Sequence, residues 1–177
     1  MKKILLGLLT VVIAGGLVYA ASDSFQITLT PTGDRGVIID TVTVGLGDLA
    51  PSAVGTTGAI SCTSTGTIAN IEYQISASVG GGAALTALED VTPVSTELCL
   101  QALFNAALPG SFAAKDVVTT GTQQVGDAAQ RYEGDVEMDA MALNESRNLW
   151  CQVTMPSTID YSGTQTITVT VDAIAGE

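Results

Sequence analysis

The sequence predicts an all-β fold: a single antiparallel β-sandwich, Ig-like or jelly-roll, with about eight strands and two long loops. Three observations predict it. The chain of 177 residues is 46% hydrophobic but only 14% charged, with many Thr, Ser, Gly and Val residues and few of the Lys and Glu that a helical protein would carry. Segments rich in β-branched residues recur between Gly, Pro, Asn and Ser punctuation. Several of them alternate apolar and polar side chains with period two, the pattern of a half-buried strand.

Taken in order, the expected strands are Phe25 to Thr30, Gly36 to Val44, Ala59 to Thr65, Asn70 to Val79, Glu97 to Phe104, Tyr132 to Ala142, Asn148 to Met155 and Thr164 to Ala173. The last is the clearest. Ile167, Val169 and Val171 point one way, and Thr166, Thr168, Thr170 and Asp172 the other. Leu149, Cys151 and Val153 share a face in the same manner, as do Ile60 and Cys62. Two stretches lack strand character and form the loops, residues 80–96, opening on three glycines, and residues 105–130, punctuated by Pro109, Gly110, Gly121 and Gly126. Long loops on a sandwich are where binding specificity usually sits.

Residues 1–20, MKKILLGLLTVVIAGGLVYA, read as a signal peptide. Lys2 and Lys3 form the positive end, Ile4 to Val18 the apolar run, and Val18-Tyr19-Ala20 a cleavage site. The same run just reaches the ~17 residues at which a helix can span a bilayer, so a retained anchor is the alternative. Cleavage leaves one domain, residues 21–177, in a secreted or extracytoplasmic location, at the cell surface or outside it. The net charge of the whole chain is −12. Without the leader, Arg35, Lys115, Arg131 and Arg147 face all 18 acidic residues. Such a surface repels nucleic acid and anionic lipid, so neither is expected as a partner, and no membrane contact is expected once the leader is removed.

In an oxidising compartment the three cysteines, Cys62, Cys99 and Cys151, allow one disulfide. Cys62 and Cys151 both occupy core-facing strand positions and are the expected bridge. Cys99 points away from Leu98 and Leu100 and is the expected free thiol.

Chemistry-bearing patterns are few. Gly45-Leu46-Gly47-Asp48-Leu49-Ala50 matches a dinucleotide fingerprint, but Pro51 follows where a helix must begin to receive the pyrophosphate, so a turn is expected. Glu133, Asp135, Glu137 and Asp139 recur every second residue and are candidate Ca²⁺ ligands. In a straight strand they would stand in a row that cannot converge on one ion, and a solvated acidic face is the plainer expectation. With no His in the chain, Ser-His-Asp, Cys-His and HExxH chemistry is excluded, and aromatic platforms for sugars are scarce. No enzyme activity and no cofactor are expected. Trp150 faces opposite to Cys151, as a surface contact or the cover of a secondary core. Asn144-Glu145-Ser146 satisfies the N-glycosylation sequon.

Behind the signal peptide, Leu49-Ala50-Pro51, then Gly58 to Thr65, the turn Ser64-Thr65-Gly66-Thr67 and the second strand to Tyr73 form a pattern that resembles the secreted β-sandwich proteins of the TasA/camelysin type, which are biofilm-matrix and surface-fibre subunits. Ser146 to Trp150, Met155 to Thr158 and Gln165 to Val169 are similar to the ends of other exported bacterial β proteins. These segments cover about a third of the chain. The resemblance implies a jelly-roll or Ig-like domain that self-associates by lending a strand to its neighbour. Ser22 to Pro31 is the candidate lender, with Phe25, Ile27 and Leu29 on one face; the plainer expectation is an ordinary first strand paired within its own domain. The peptidase label attached to some camelysin-type proteins does not carry over, because a zinc-peptidase motif needs His. The function expected is therefore that of an exported structural or surface-assembly protein, a fibre subunit or envelope-associated protein. The alternative is a soluble extracellular binding module for carbohydrate or protein that uses the two long loops.

Overall fold

The computed structural model describes residues 23–32, 35–41, 43–67, 70–138 and 141–176. The leader, Asp139 and the side chains of Phe25 and Leu29 lie outside the described residues. Among those described, eleven strands form two sheets packed face to face. They are β1 (Asp23–Thr32), β2 (Gly36–Ile39), β3 (Thr43–Leu49), β4 (Val54–Thr56), β5 (Ile60–Thr65), β6 (Ile71–Gly80), β7 (Ala84–Leu85), β8 (Glu97–Phe104), β9 (Gln123–Gln124), β10 (Ser146–Thr154) and β11 (Gln165–Ala175). The first sheet runs β3-β1-β11-β6-β9 and the second β2-β5-β10-β8-β7, with β4 also on β10. The fold is a β-sandwich, as the composition and alternation predict.

The sheets are mixed rather than purely antiparallel. β1 runs parallel to β11 through eight residue pairs, from Phe25 with Gln165 to Thr32 with Asp172, and β7 runs parallel to β8. Hairpins impose antiparallel pairing only on strands joined by tight turns. β1 and β11 come from opposite ends of the chain and are free of that constraint.

The alternation of β11 is realised residue by residue. Ile167, Val169 and Val171 are fully buried, and the intervening threonines are half-buried on the outer face. Facing them across the sandwich are Leu98, Leu100 and Phe104 of β8 and Leu149, Cys151 and Val153 of β10. The rings of Tyr73 and Phe104 bridge the two sheets with centroids 5.6 Å apart. The expected strand Gly36 to Val44 is two strands in different sheets. The chain leaves the second sheet at Asp40, whose carboxylate accepts the Ser61 N–H at 2.9 Å, and enters the first sheet as β3.

The glycine fingerprint lies in β3, where no helix follows. Phe25 pairs with Gly47 and Gln26 with Gly45, so Leu46 is an extra residue in the ladder, a β-bulge beside Gly47 at φ 68°. Positive φ is easy for glycine.

Candidate functional site

β1 holds the residues that the sequence marks for strand lending, and its position is the most distinctive feature of the architecture. It is not an edge strand. It lies between β3, with which it pairs antiparallel, and β11, with which it pairs parallel. Ile27, the one candidate residue whose side chain is described, is fully buried in the core. In this structure β1 is paired within its own domain. Its partners, residues 43–49 and 165–175, supply a complete slot for a ten-residue strand.

Opposite sides of the sandwich are finished differently. Residues 117–138, with Met141, close the side between β6 and β8. Val118 N–H bonds Leu100 O at 2.8 Å on β8, and the next residue's carbonyl accepts Ala77 N–H at 2.8 Å on β6. Val125 N–H then bonds Tyr73 O at 2.8 Å, Phe104 N–H bonds Tyr132 O at 2.8 Å, and Met141 exchanges two bonds with Ile71. Val118, Val125, Tyr132, Met138 and Met141 are all core residues. Much of the expected loop 105–130 is therefore a structural seam rather than a surface excursion. Loop 80–96 begins the same way, since β7 and Thr86 N–H pair with the edge of β8. The apolar residues Val117, Val118 and Val125, set among polar turns, are the sequence signal for this seam that the loop reading passed over. On the other side β2 and β3 terminate their sheets.

Among the described residues of the acidic row, Glu133, Asp135 and Glu137 do not form a strand face. Tyr132, at φ 59°, and the turns that follow break the extended backbone that period-two alignment requires. The carboxylates cap nearby backbone instead. Asp135 accepts Ala106 N–H at 2.7 Å, and Glu133 accepts Met138 N–H at 3.2 Å. Glu133 and Glu137 line an open depression of about 410 Å³ together with Gly126, Asp127, Ala128 and Gln130. The Asp127 carboxylate is occupied by Ala129 N–H at 2.8 Å and faces Arg131 at 3.8 Å. Among the described residues no group of three or more His, Cys, Asp or Glu side chains is arranged to hold a metal ion.

The expected Cys62–Cys151 disulfide is absent, and all three cysteines are free and buried. Both residues do face the core, but they lie on neighbouring strands out of register. Cys62 pairs with Arg147 on β10, four residues before Cys151. Four residues occupy ~13 Å of strand, whereas a disulfide needs Cα atoms within ~7 Å. Burial pushes the Cys151 thiol up to about 12. Cys62 is raised as well, by burial first and by Cys151 and Asp40 second. Cys99 stands outside the central core, buried under the loop near Thr86, and burial raises it too. None is an activated nucleophile, which would require a lowered value.

Trp150 covers a secondary core. It donates its indole N–H to Asn105 O at 3.0 Å and pairs with the buried Leu103. Apolar side chains on the rest of loop 80–96 remain in solvent, with Leu88, Val91 and Val94 exposed, as is Leu108 in the second loop.

No protein-family model matches this chain, and no curated protein sequence matches it.

Proposed function

We propose that the chain is an exported, non-enzymatic structural subunit that assembles at the cell surface or in the extracellular matrix by exchanging β1 between copies. The observation that carries this reading is the position of β1: an N-terminal strand, interior to its sheet, whose hydrogen-bonding partners both come from later in the sequence. The same strand from a second copy satisfies the same ladder and inserts the same Ile27 into the same core. Exchange of an identical element between protomers is a low-cost route to assembly because every interface contact already exists in the monomer. A head-to-tail exchange that does not close on itself gives a filament. The apolar leader and the acidic composition support an extracytoplasmic setting.

The test is negative-stain electron microscopy with light scattering on residues 21–177, concentrated with and without Ca²⁺. Regular filaments are expected, lost on deletion of residues 21–31 and in the double variant Phe25→Asp, Ile27→Asp. Filaments unchanged in that variant would sink strand exchange. A persistent monomer would favour the second reading, a binding module for protein or carbohydrate. That reading rests on the exposed Leu88, Val91, Val94 and Leu108 of the two long loops.

A further inference from the structure

We propose that Asn144 is an acceptor for an N-linked glycan, installed before β10 docks on β5. Asn144-Glu145-Ser146 has the required hydroxyl two residues after the asparagine and no proline between. The structure singles out the carboxamide within its own turn. Asn144 N–H bonds Ser64 O at 3.0 Å. The Ser64 hydroxyl donates to Ala142 O at 2.6 Å. The Glu145 carboxylate accepts Ala142 N–H at 2.8 Å and pairs with Arg147 at 2.5 Å. Ser146 Oγ lies 2.7 Å from Thr63 Oγ1. Around it nearly every polar group is engaged, yet the Asn144 side chain is exposed and makes no hydrogen bond among the described residues, in a left-handed turn at φ 59°.

The co-reactant is a lipid-phosphate-linked oligosaccharide. The amide nitrogen attacks the anomeric carbon, the new C–N bond replaces the C–O bond to phosphate, and the amide proton passes to a base of the transferase. Recognition of the sequon needs the Ser146 hydroxyl, and in the folded protein Thr63 holds it, which sets the order of events. The turn leads into β10 of the second sheet, whereas β1 lies in the first, so a glycan here leaves the β1 slot clear.

The inference rests on export, and the experiment separates the two. The protein is purified from the organism that makes it, its compartment is recorded, and tryptic peptide 132–147, which contains no other Asn, is analysed by mass spectrometry. The expected result is a sugar-bearing Asn144, lost in N144Q and S146A and retained in S146T. An exported chain with unmodified Asn144 overturns the glycan and leaves the assembly reading standing. A chain retained in the cytoplasm overturns both.

Discussion

Ile27 of β1 and Ile167 of β11 are register partners in a parallel pairing, and both side chains are completely buried. The N-terminal strand is thus fastened to the C-terminal one through the core as well as through backbone bonds. Truncating Ile27 to Ala is expected to cost ~2–5 kcal/mol, the lost transfer free energy plus the cavity left behind. Thr28 is half-buried on the outer face, and Thr28→Ala is expected to change stability by less than ~0.5 kcal/mol. Urea unfolding of the monomer measures both. Equal effects would mean that β1 does not hold this register.

The cysteine geometry gives a second prediction. Three thiols per chain react with Ellman's reagent in denaturant, and none reacts in the native protein faster than the chain opens. Burial disfavours each thiolate, and the thiolate is the reactive species. Non-reducing peptide mapping is expected to find no Cys62–Cys151 bridge even after mild oxidation. Such a bridge would require β10 to slide by four residues against β5, displacing the Arg147 and Leu149 pairings.

How far the fold was legible in the sequence depends on whether its cause was local. β8 spans Glu97–Phe104 as expected, because turn residues bracket a short apolar run and both signals are sequential neighbours. The inward face of β11 was equally plain from alternation. The parallel union of β1 with β11 was not, because no local pattern encodes which distant strand fills a slot. The acidic row misled because alternation in sequence implies a shared face only where the backbone stays extended, and Tyr132 turns it. The cysteine phase was right and the register wrong: period two fixes which face a residue takes, not its place along the neighbouring strand. For the candidate site, β1 was legible as an apolar first strand, while its place between β3 and β11 emerges only from pairing.

A buried carboxylate supplies a pH-dependent prediction. Asp116 is 2% exposed, and its carboxylate accepts Ala113 N–H at 2.6 Å. Burial raises its pKa, and Ala113, Lys115 and the Tyr132 backbone offset this only in part. A carboxyl group whose folded value lies above its unfolded one binds its proton more tightly when folded. Its stabilising contribution is full below the unfolded value, near 3.8, and is lost as pH rises through the folded value. Asp116→Asn removes this titration. The stability of the variant relative to wild type is therefore expected to be greatest at neutral pH and to shrink as pH falls towards 4, measured by urea unfolding across that range. A gap that widens on acidification would show that the carboxylate is held charged in the fold.

The seam along β8 can be broken at one atom. Gly134 N–H bonds Phe104 O at 3.0 Å, and a methyl group added at Gly134 would sit 2.8 Å from that same carbonyl oxygen and against the Asn105 side chain. Phe104 cannot yield, because its ring is buried against Tyr73 and its own N–H is tied to Tyr132. The 133–135 backbone must move instead, loosening two bonds to 105–106: the one that Asp135 N–H donates to Asn105 Oδ1 and the one that the Asp135 carboxylate accepts from Ala106 N–H. Gly134→Ala is therefore expected to destabilise by ~1–3 kcal/mol, as overpacking does in a closed site. Gly110 has open space where its Cβ would be, and Gly110→Ala is expected to stay within ~0.5 kcal/mol of wild type. Hydrogen exchange at the Phe104 and Val118 amides would accelerate in the first variant and not in the second. Equal stability and equal exchange in the two would place residues 132–134 away from the β8 edge and reopen the long segment as a free binding loop.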